Sequence, residues 1–231
     1  MPALRRAAAG LSAWSRAGTR FENRVLTFIV TVATVTSRMP RPNRTLERSR
    51  EFAPLLARAF AELGYRRATT AALAERCRVT EKALYRIWPD KRAMFLAALE
   101  QVFAESEAVW ARLAVATDRD ESTAERLLAH EAEHHGEHRL YRIIFAGLSE
   151  TDDELIRGAL AKLYGRFQRL IQTHVESHRG KKRRKDDLAP ALAAWAIVGL
   201  GTVANIGREL ELLRTRERGR LLSDVGAELL G

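Results

Sequence analysis

From residue 44 onward, apolar positions recur at the three- and four-residue spacing of helices. Phe52, Leu56, Ala59, Phe60 and Leu63 form one such stripe, and Gly64 supplies its stop. Pro54 interrupts the pattern. It removes a backbone donor and crowds the carbonyl of Arg50, so the first helix is predicted to start or kink near Pro54. A second helix follows Arg66-Arg67-Ala68, with Thr69 as N-cap and Leu73, Ala74 and Cys77 facing inward. Only Arg78-Val79 separate it from Thr80, which can cap a third helix from Glu81 to Ile87. Trp88-Pro89-Asp90 ends that one, and the next runs from Lys91 through Met94, Phe95, Leu99 and Phe103.

Helical periods continue over 91–115, 121–135, 138–148, 152–178, 187–213 and 217–230, with no internal repeat. Breaks fall at Thr117-Asp118, Gly136, Ser149 to Asp152, and Gly180. Thr151 with Glu154 spells a capping box, which predicts a helix start there. The pattern therefore predicts an all-α chain in three parts. Residues 1–43 form a basic, disordered extension, 44–97 a helix-turn-helix head, and 98–231 a larger helical body.

Composition sharpens this picture at a few points. Ala and Leu dominate, and 231 residues suffice for a sizeable core. The single Cys77 excludes a disulfide framework within the chain and suggests a reducing compartment, so a cytoplasmic location is expected. A net charge of +10 points to an anionic partner. Residues 1–50 hold ten arginines against Glu22 and Glu47, so most of the excess precedes the first convincing helix. Met39 opens MPRPNRTLERSR, and residues 1–38 read as upstream translation or a disordered extension.

Two apolar runs invite a membrane reading. Val25 to Thr36 is about 12 residues, too short to span a bilayer. Leu188 to Gly207 is 20 residues without a charge and follows Lys181-Lys182-Arg183-Arg184-Lys185. Its Pro190, three glycines, Thr202 and Asn205 fit a buried or interface helix instead, and no membrane partner is expected. The basic run from His178 to Lys185 reads as a solvated linker.

Two short capped helices on a tight turn describe a helix-turn-helix. The second presents Glu81, Lys82, Tyr85 and Arg86 outward while Leu84 and Ile87 point inward, and a B-DNA major groove admits one such helix. In order and spacing, Glu62-Leu63-Gly64-Tyr65, Thr69, Leu73-Ala74, Val79-Thr80, Leu84-Tyr85-Arg86 and Trp88-Pro89-Asp90-Lys91 resemble the signature of the TetR family. The resemblance is dense over about fifty residues and extends to the body only through its helix plan. It implies that Thr69, Thr80, Tyr85 and Lys91 contact phosphates. Lys82 and Ala83 would lie nearest the base edges, with Glu81 beside them. Arg78 stands where the family has glycine, so a left-handed turn there costs about 1 kcal/mol, although its guanidinium can add a phosphate contact. Trp88 replaces a phenylalanine and Ile87 a histidine.

In the body, His130-Glu131-Ala132-Glu133-His134 spells the H-E-x-x-H of zinc peptidases. Glu137 and Leu140 stand where the longer form of that motif needs Gly and His. The stretch reads as a polar surface helix with no apolar wall, so neither metal nor cofactor is expected and the chain is read as a non-enzyme. A zinc-dependent hydrolase and a membrane-tethered binding protein are the alternatives. Ala191, Ala194, Gly199, Gly201 and Gly207 are small enough to admit a second helix closely. The resemblance implies that the last two long helices pair with their symmetry mates, with Leu200 and Ala204 expected in the seam. Trp110, Tyr141, Phe145, Leu148, Leu163, Tyr164, Phe167 and Trp195 are the candidate lining of an inducer pocket. The expected function is a ligand-responsive dimeric repressor of transcription on a palindromic operator.

Overall fold

The computed structural model describes residues 44–115, 122–180 and 188–231, which form helices and the turns between them, with no strand. The arginine-rich arm, the run from Val25 to Thr36, the Thr117-Asp118 break and the basic residues 181–185 lie outside the described residues.

Helix α1, Arg44–Leu63, runs without a break through Pro54. The predicted helix start near Pro54 is therefore wrong. An interior proline costs about 3 kcal/mol, but this helix buries Phe52, Leu56 and Phe60, and burial of each such side chain returns about 1.5–3 kcal/mol. Helix α2, Thr70–Arg76, is capped by Thr69, whose Oγ1 accepts from the Ala72 amide at 3.1 Å. Helix α3 spans Glu81–Tyr85; Thr80 makes no side-chain cap, and its carbonyl accepts from Ala83 at 2.9 Å instead. Helix α4, Lys91–Val115, starts at Asp90, which accepts from the Ala93 amide at 2.7 Å.

Helix α5, Thr123–His134, opens on a reciprocal box between Ser122 and Glu125. After α6, Tyr141–Leu148, comes α7, Glu154–Arg179. The box expected at Thr151 and Glu154 does not form. Asp153 caps α7 through Oδ1, accepting from Leu155 at 2.9 Å and Ile156 at 3.2 Å, while Thr151 donates back to Leu148. A carboxylate at the positive helix end is the stronger cap, and Asp153 also pairs with Arg92 at 3.1 Å. Helix α8, Pro190–Glu209, stops short of residue 213 because Glu211 takes a positive φ of 55°. Helix α9, Thr215–Arg220, continues through a π turn into α10, Gly226–Leu230.

The main core joins α1 to α4 with α6 and the first half of α7. Leu56, Phe60, Leu73, Leu84 and Phe95 of the head belong to the same buried cluster as Ile143, Ile156 and Leu160 of the body. A smaller cluster of Ala124, Val175, Ala193 and Leu230 gathers α5, α7, α8 and α10. Beside it the Arg179 guanidinium, only 5% exposed, donates to the carbonyls of Leu188, Leu229 and Leu230.

Helix α8 is long and apolar enough to cross a membrane by length and composition. It packs along α7 instead and buries Ala193, Ala194, Ala204 and Asn205. This corrects the expected seam at Ala194, Gly201, Ala204 and Gly207, while Ala191 is exposed and Gly199 faces open space. Ala204 is 1% exposed and Ala194 fully buried within the chain, Gly201 abuts the His135 ring, and Gly207 abuts Leu213. These small residues let the chain's own elements approach. The outward row is Leu192, Trp195, Val203 and Ile206, continued past the helix end by Leu210.

Candidate nucleic-acid interface and body cavity

The turn between α2 and α3 requires a left-handed residue, and Arg78 supplies it at φ 55°. Its amide donates to Glu75 and the next amide, Val79, to Ala74, both at 3.0 Å, so the strained residue closes the end of α2. Leu73, Ala74, Leu84 and Trp88 are buried beneath the pair. Cys77 packs with them, and burial pushes its thiol up to about 11, which leaves it an inert packing group.

Thr69, Arg78, Thr80, Glu81, Lys82, Tyr85 and Arg86 are exposed, and Ala83 half-buried, as the sequence suggests. The Thr69 oxygen accepts its capping bond, which leaves the hydroxyl proton to donate outward. Thr80 has its whole hydroxyl free of the cap, and the Tyr85 ring is 47% exposed. Arg78, Lys82 and Arg86 have no carboxylate within ion-pair distance among the described residues, whereas Arg66, Arg76 and Arg92 pair with Glu150, Glu62 and Asp153. Glu81 is held sideways by Thr70, which donates to its Oε2 at 2.5 Å. Lys91 donates to the Tyr65 carbonyl at 3.0 Å with its Nζ 4.6 Å from the Tyr65 ring centre, so its cation is fixed in place with two protons left for another acceptor.

Helices α4 to α8 line an open-mouthed cavity of about 620 Å³. Five of the expected residues line it: Trp110, Tyr141, Phe145, Tyr164 and Phe167. Leu148 and Trp195 do not, being exposed, and Leu163 lies in the main core. The cavity-facing residues of α8 are Ile197, Val198, Gly201, Thr202 and Asn205. Trp195 joins the opposite, outward row at 48% exposure.

The polar stretch of α5 is not the bare surface helix that its sequence predicts. It does face an apolar wall: His130, Glu131, His134 and His135 line the cavity together with Leu128, Phe167 and Ile171. Glu131 accepts from the Trp110 indole at 2.8 Å and bonds His135 Nδ1 at 2.6 Å. His135 Nε2 lies 2.9 Å from the Gly201 carbonyl, which can only accept, so that nitrogen carries a proton. One imidazole thus joins α5 to α8. Burial pushes the Glu131 carboxyl up, but the bonds from His135 and Trp110 outweigh it and hold it below the ordinary range. The rings of His130 and His134 stack at 4.4 Å. Among the described residues no group of three His, Cys, Asp or Glu side chains is arranged to hold a metal ion.

At the end of α8, Arg142 grips Glu209 bidentately at 2.9 and 2.6 Å, and Tyr141 donates to the same carboxylate. The Arg142 bonds hold Glu209 down to about 2 from an ordinary 4.5. A carboxyl lowered by folding contributes stability above its unfolded value and loses it as pH falls towards the folded one. Glu209→Gln is therefore expected to melt a few degrees below the wild type at pH 7. The gap should narrow steadily between pH 4.5 and pH 2 in urea titrations. A gap that stays constant with pH would show that the carboxylate charge contributes nothing.

Residues 56–98 match the family described as bacterial regulatory proteins, tetR family. The chain also resembles several solved structures. A putative TetR-family regulator from Mesorhizobium loti shares 18% identity over 81% of this chain and 97% of that one, at a TM-score of 0.61. A second, from Rhodococcus sp., shares 18% over 80% and 99%, at 0.66. FadR of Bacillus subtilis, solved in complex with stearoyl-CoA, shares 13% over 79% and 97%, at 0.62. No curated protein matches the chain. Residues 56–98 thus match a tetR-family head, and the chain as a whole shares the fold of these solved regulators.

Proposed function

We propose that this chain is a cytoplasmic, homodimeric repressor of transcription that binds a palindromic operator through α3 and releases it when a small molecule fills the body cavity. The reading rests above all on the head, where Arg78, Lys82, Tyr85 and Arg86 stand outward beside Thr69 and Thr80 over a fully apolar underside. Repression is by occupancy of the operator. Two heads related by a two-fold axis present α3 to successive major grooves, and the apolar row on α8 is the surface through which the copies pair. Helix α4 gives a route from ligand to DNA, because Lys91 opens it at the head and Val102 to Arg112 line the cavity further along. A ligand with different affinity for two head separations then shifts operator binding by that difference. The similarly folded FadR, solved in complex with stearoyl-CoA, supports a ligand-responsive regulator.

The hydrolase alternative gains no support from the site. Glu131, which would serve as base, is held by Trp110 and His135, and the two histidines of the motif stack on each other. A non-enzymatic role is the reading we adopt.

Lys82→Ala, Tyr85→Phe and Lys91→Ala test the head. Tyr85→Phe and Lys91→Ala are expected to weaken operator and scrambled duplex by similar factors, and Lys91→Ala to lower the salt-dependence slope by about 1. Lys82→Ala should cost about 1–3 kcal/mol on the operator and little on scrambled DNA. Fluorescence anisotropy across a salt series separates these outcomes. Equal losses on both duplexes for Lys82→Ala make it a phosphate ligand, and no change in any variant removes α3 from the interface.

A further inference from the structure

Where the end of α5 meets the end of α8 and the start of α9, two arginines share a pocket distinct from the large cavity. Arg208 of α8 and Arg218 of α9 both line it, with Ala204 and Leu222 as apolar neighbours. Its volume of about 10 Å³ matches one particle near the size of a water molecule.

The two half-buried guanidiniums are held in the same way. Arg208 donates through Nη1 to the Gly136 carbonyl at 3.1 Å and through Nη2 to the His135 carbonyl. Arg218 donates through Nη1 to the Leu213 carbonyl and through Nη2 to the Thr215 hydroxyl at 3.0 Å. These bonds fix both planes, yet every acceptor in them is neutral. In each side chain the remaining donor, Nε–H, is buried and has no partner.

Neither cation has a carboxylate within ion-pair distance among the described residues. Glu209, next to Arg208 in the chain, is gripped by Arg142 and Tyr141. Glu217, next to Arg218, accepts from the Arg214 amide. Glu133 of the pocket lining has a side chain 78% exposed and pairs with His134 at 4.0 Å. Burial, and then the Arg208 charge, lower the Arg218 guanidinium from its ordinary value. Deprotonation offers no escape, because a guanidinium keeps its proton in a protein, and a buried charge without a partner is strongly destabilising. A water would satisfy the two donors and leave both charges. A monatomic anion does both at once through charge-assisted bonds, whereas sulfate or phosphate is too large for the volume.

We infer that Arg208 and Arg218 hold a halide-sized anion, chloride under physiological conditions, between their Nε–H groups. The ion ties α9 to the junction of α5 and α8, through side chains that already hold the His135, Gly136 and Leu213 carbonyls. The site stands apart from the proposed effector cavity and from the DNA-binding face.

Bromide replaces chloride and scatters anomalously, so crystals of the full chain soaked in sodium bromide test the site without any variant. The expected result is an anomalous peak within hydrogen-bonding reach of both Nε atoms. In solution, replacing sodium gluconate by sodium chloride at constant ionic strength keeps screening equal. It should raise the melting temperature by at least about 2 °C, because gluconate is too large to enter. Arg218→Met should melt at the same temperature in both salts, and Arg218→Lys, which keeps the charge but lacks Nε, should lose most of the chloride response. Density at the site without an anomalous signal identifies a bound water and overturns the inference. A bromide peak with no chloride response in solution marks an adventitious ion only and overturns it as well. So does a chloride response that persists undiminished in both Arg218 variants.

Discussion

Arg179→Met is expected to lower the unfolding free energy by about 2–4 kcal/mol, a large share of the total for a single domain. The side chain is buried at the end of α7, and its fork reaches Leu230 at 2.7 Å, Leu229 at 2.9 Å and Leu188. Two of those carbonyls close α10, where the last turn of a helix has no amide of its own to satisfy its oxygens and carries the negative end of the dipole. The third lies just ahead of α8. One guanidinium therefore fastens three helix ends without a carboxylate. Methionine fills much of the same space but leaves buried carbonyls unpaired. Arg179→Lys should recover only part of the loss, because an ammonium cannot match three acceptors arranged for a planar fork. Urea unfolding followed by circular dichroism reads the difference. A wild-type midpoint for Arg179→Met would show that water satisfies those carbonyls equally well.

Val203→Arg is expected to dissociate the proposed dimer and to lower affinity for a palindromic operator by at least about a hundredfold. The outward row of α8 carries large apolar side chains that no element among the described residues covers. An isologous contact repeats each substitution on both sides, so two uncompensated cations would enter the seam, at about 3–5 kcal/mol each. Losing the second copy also turns a linked pair of half-site contacts into two independent ones. Light scattering at micromolar concentration should give the monomer mass with an unchanged far-ultraviolet spectrum. Ala204→Arg, one residue along, makes the contrast: Ala204 faces into the protomer, so that variant should unfold rather than dissociate. A soluble Val203→Arg dimer with normal operator binding would assign the row another role.

The parts of this molecule that the sequence made legible are those decided within a few residues. The Thr69 cap and the inward set of Leu73, Ala74 and Leu84 follow from local spacing, and the left-handed Arg78 from the resemblance, which has glycine there. The Ser122-Glu125 box is equally legible as S-x-x-E ahead of a helix. Where several local signals compete, tertiary contacts decide. Pro54 argues for a break, but the apolar face around it is buried in a core drawn from α4 and other helices. Thr151 and Asp153 both offer caps, and the second wins because Arg92 holds it from another helix. The body was least legible. Its polar α5 stretch gives no sign that Trp110, 21 residues away, will meet Glu131, or that Gly201 leaves room for an imidazole rather than for a second chain. The same blindness placed Trp195 in the cavity, since periodicity reveals an apolar face without saying what covers it.

The single core shared by head and body bears on how such a regulator can be altered. A boundary drawn at residue 98 looks clean along the chain, yet it cuts through the packing of Phe60 and Phe95 with Ile143, Ile156 and Leu160. The head is thus not a removable module. A chimaera that imported α1 to α3 from a relative with another operator would have to inherit, or rebuild, the surface of α6 and the first turns of α7 on which they sit. If Lys82 reads bases as proposed, operator preference can change at Lys82 and its exposed neighbours without disturbing the core. The underside of the head can change only in step with the body, and drift in the two halves of the chain is tied by that contact.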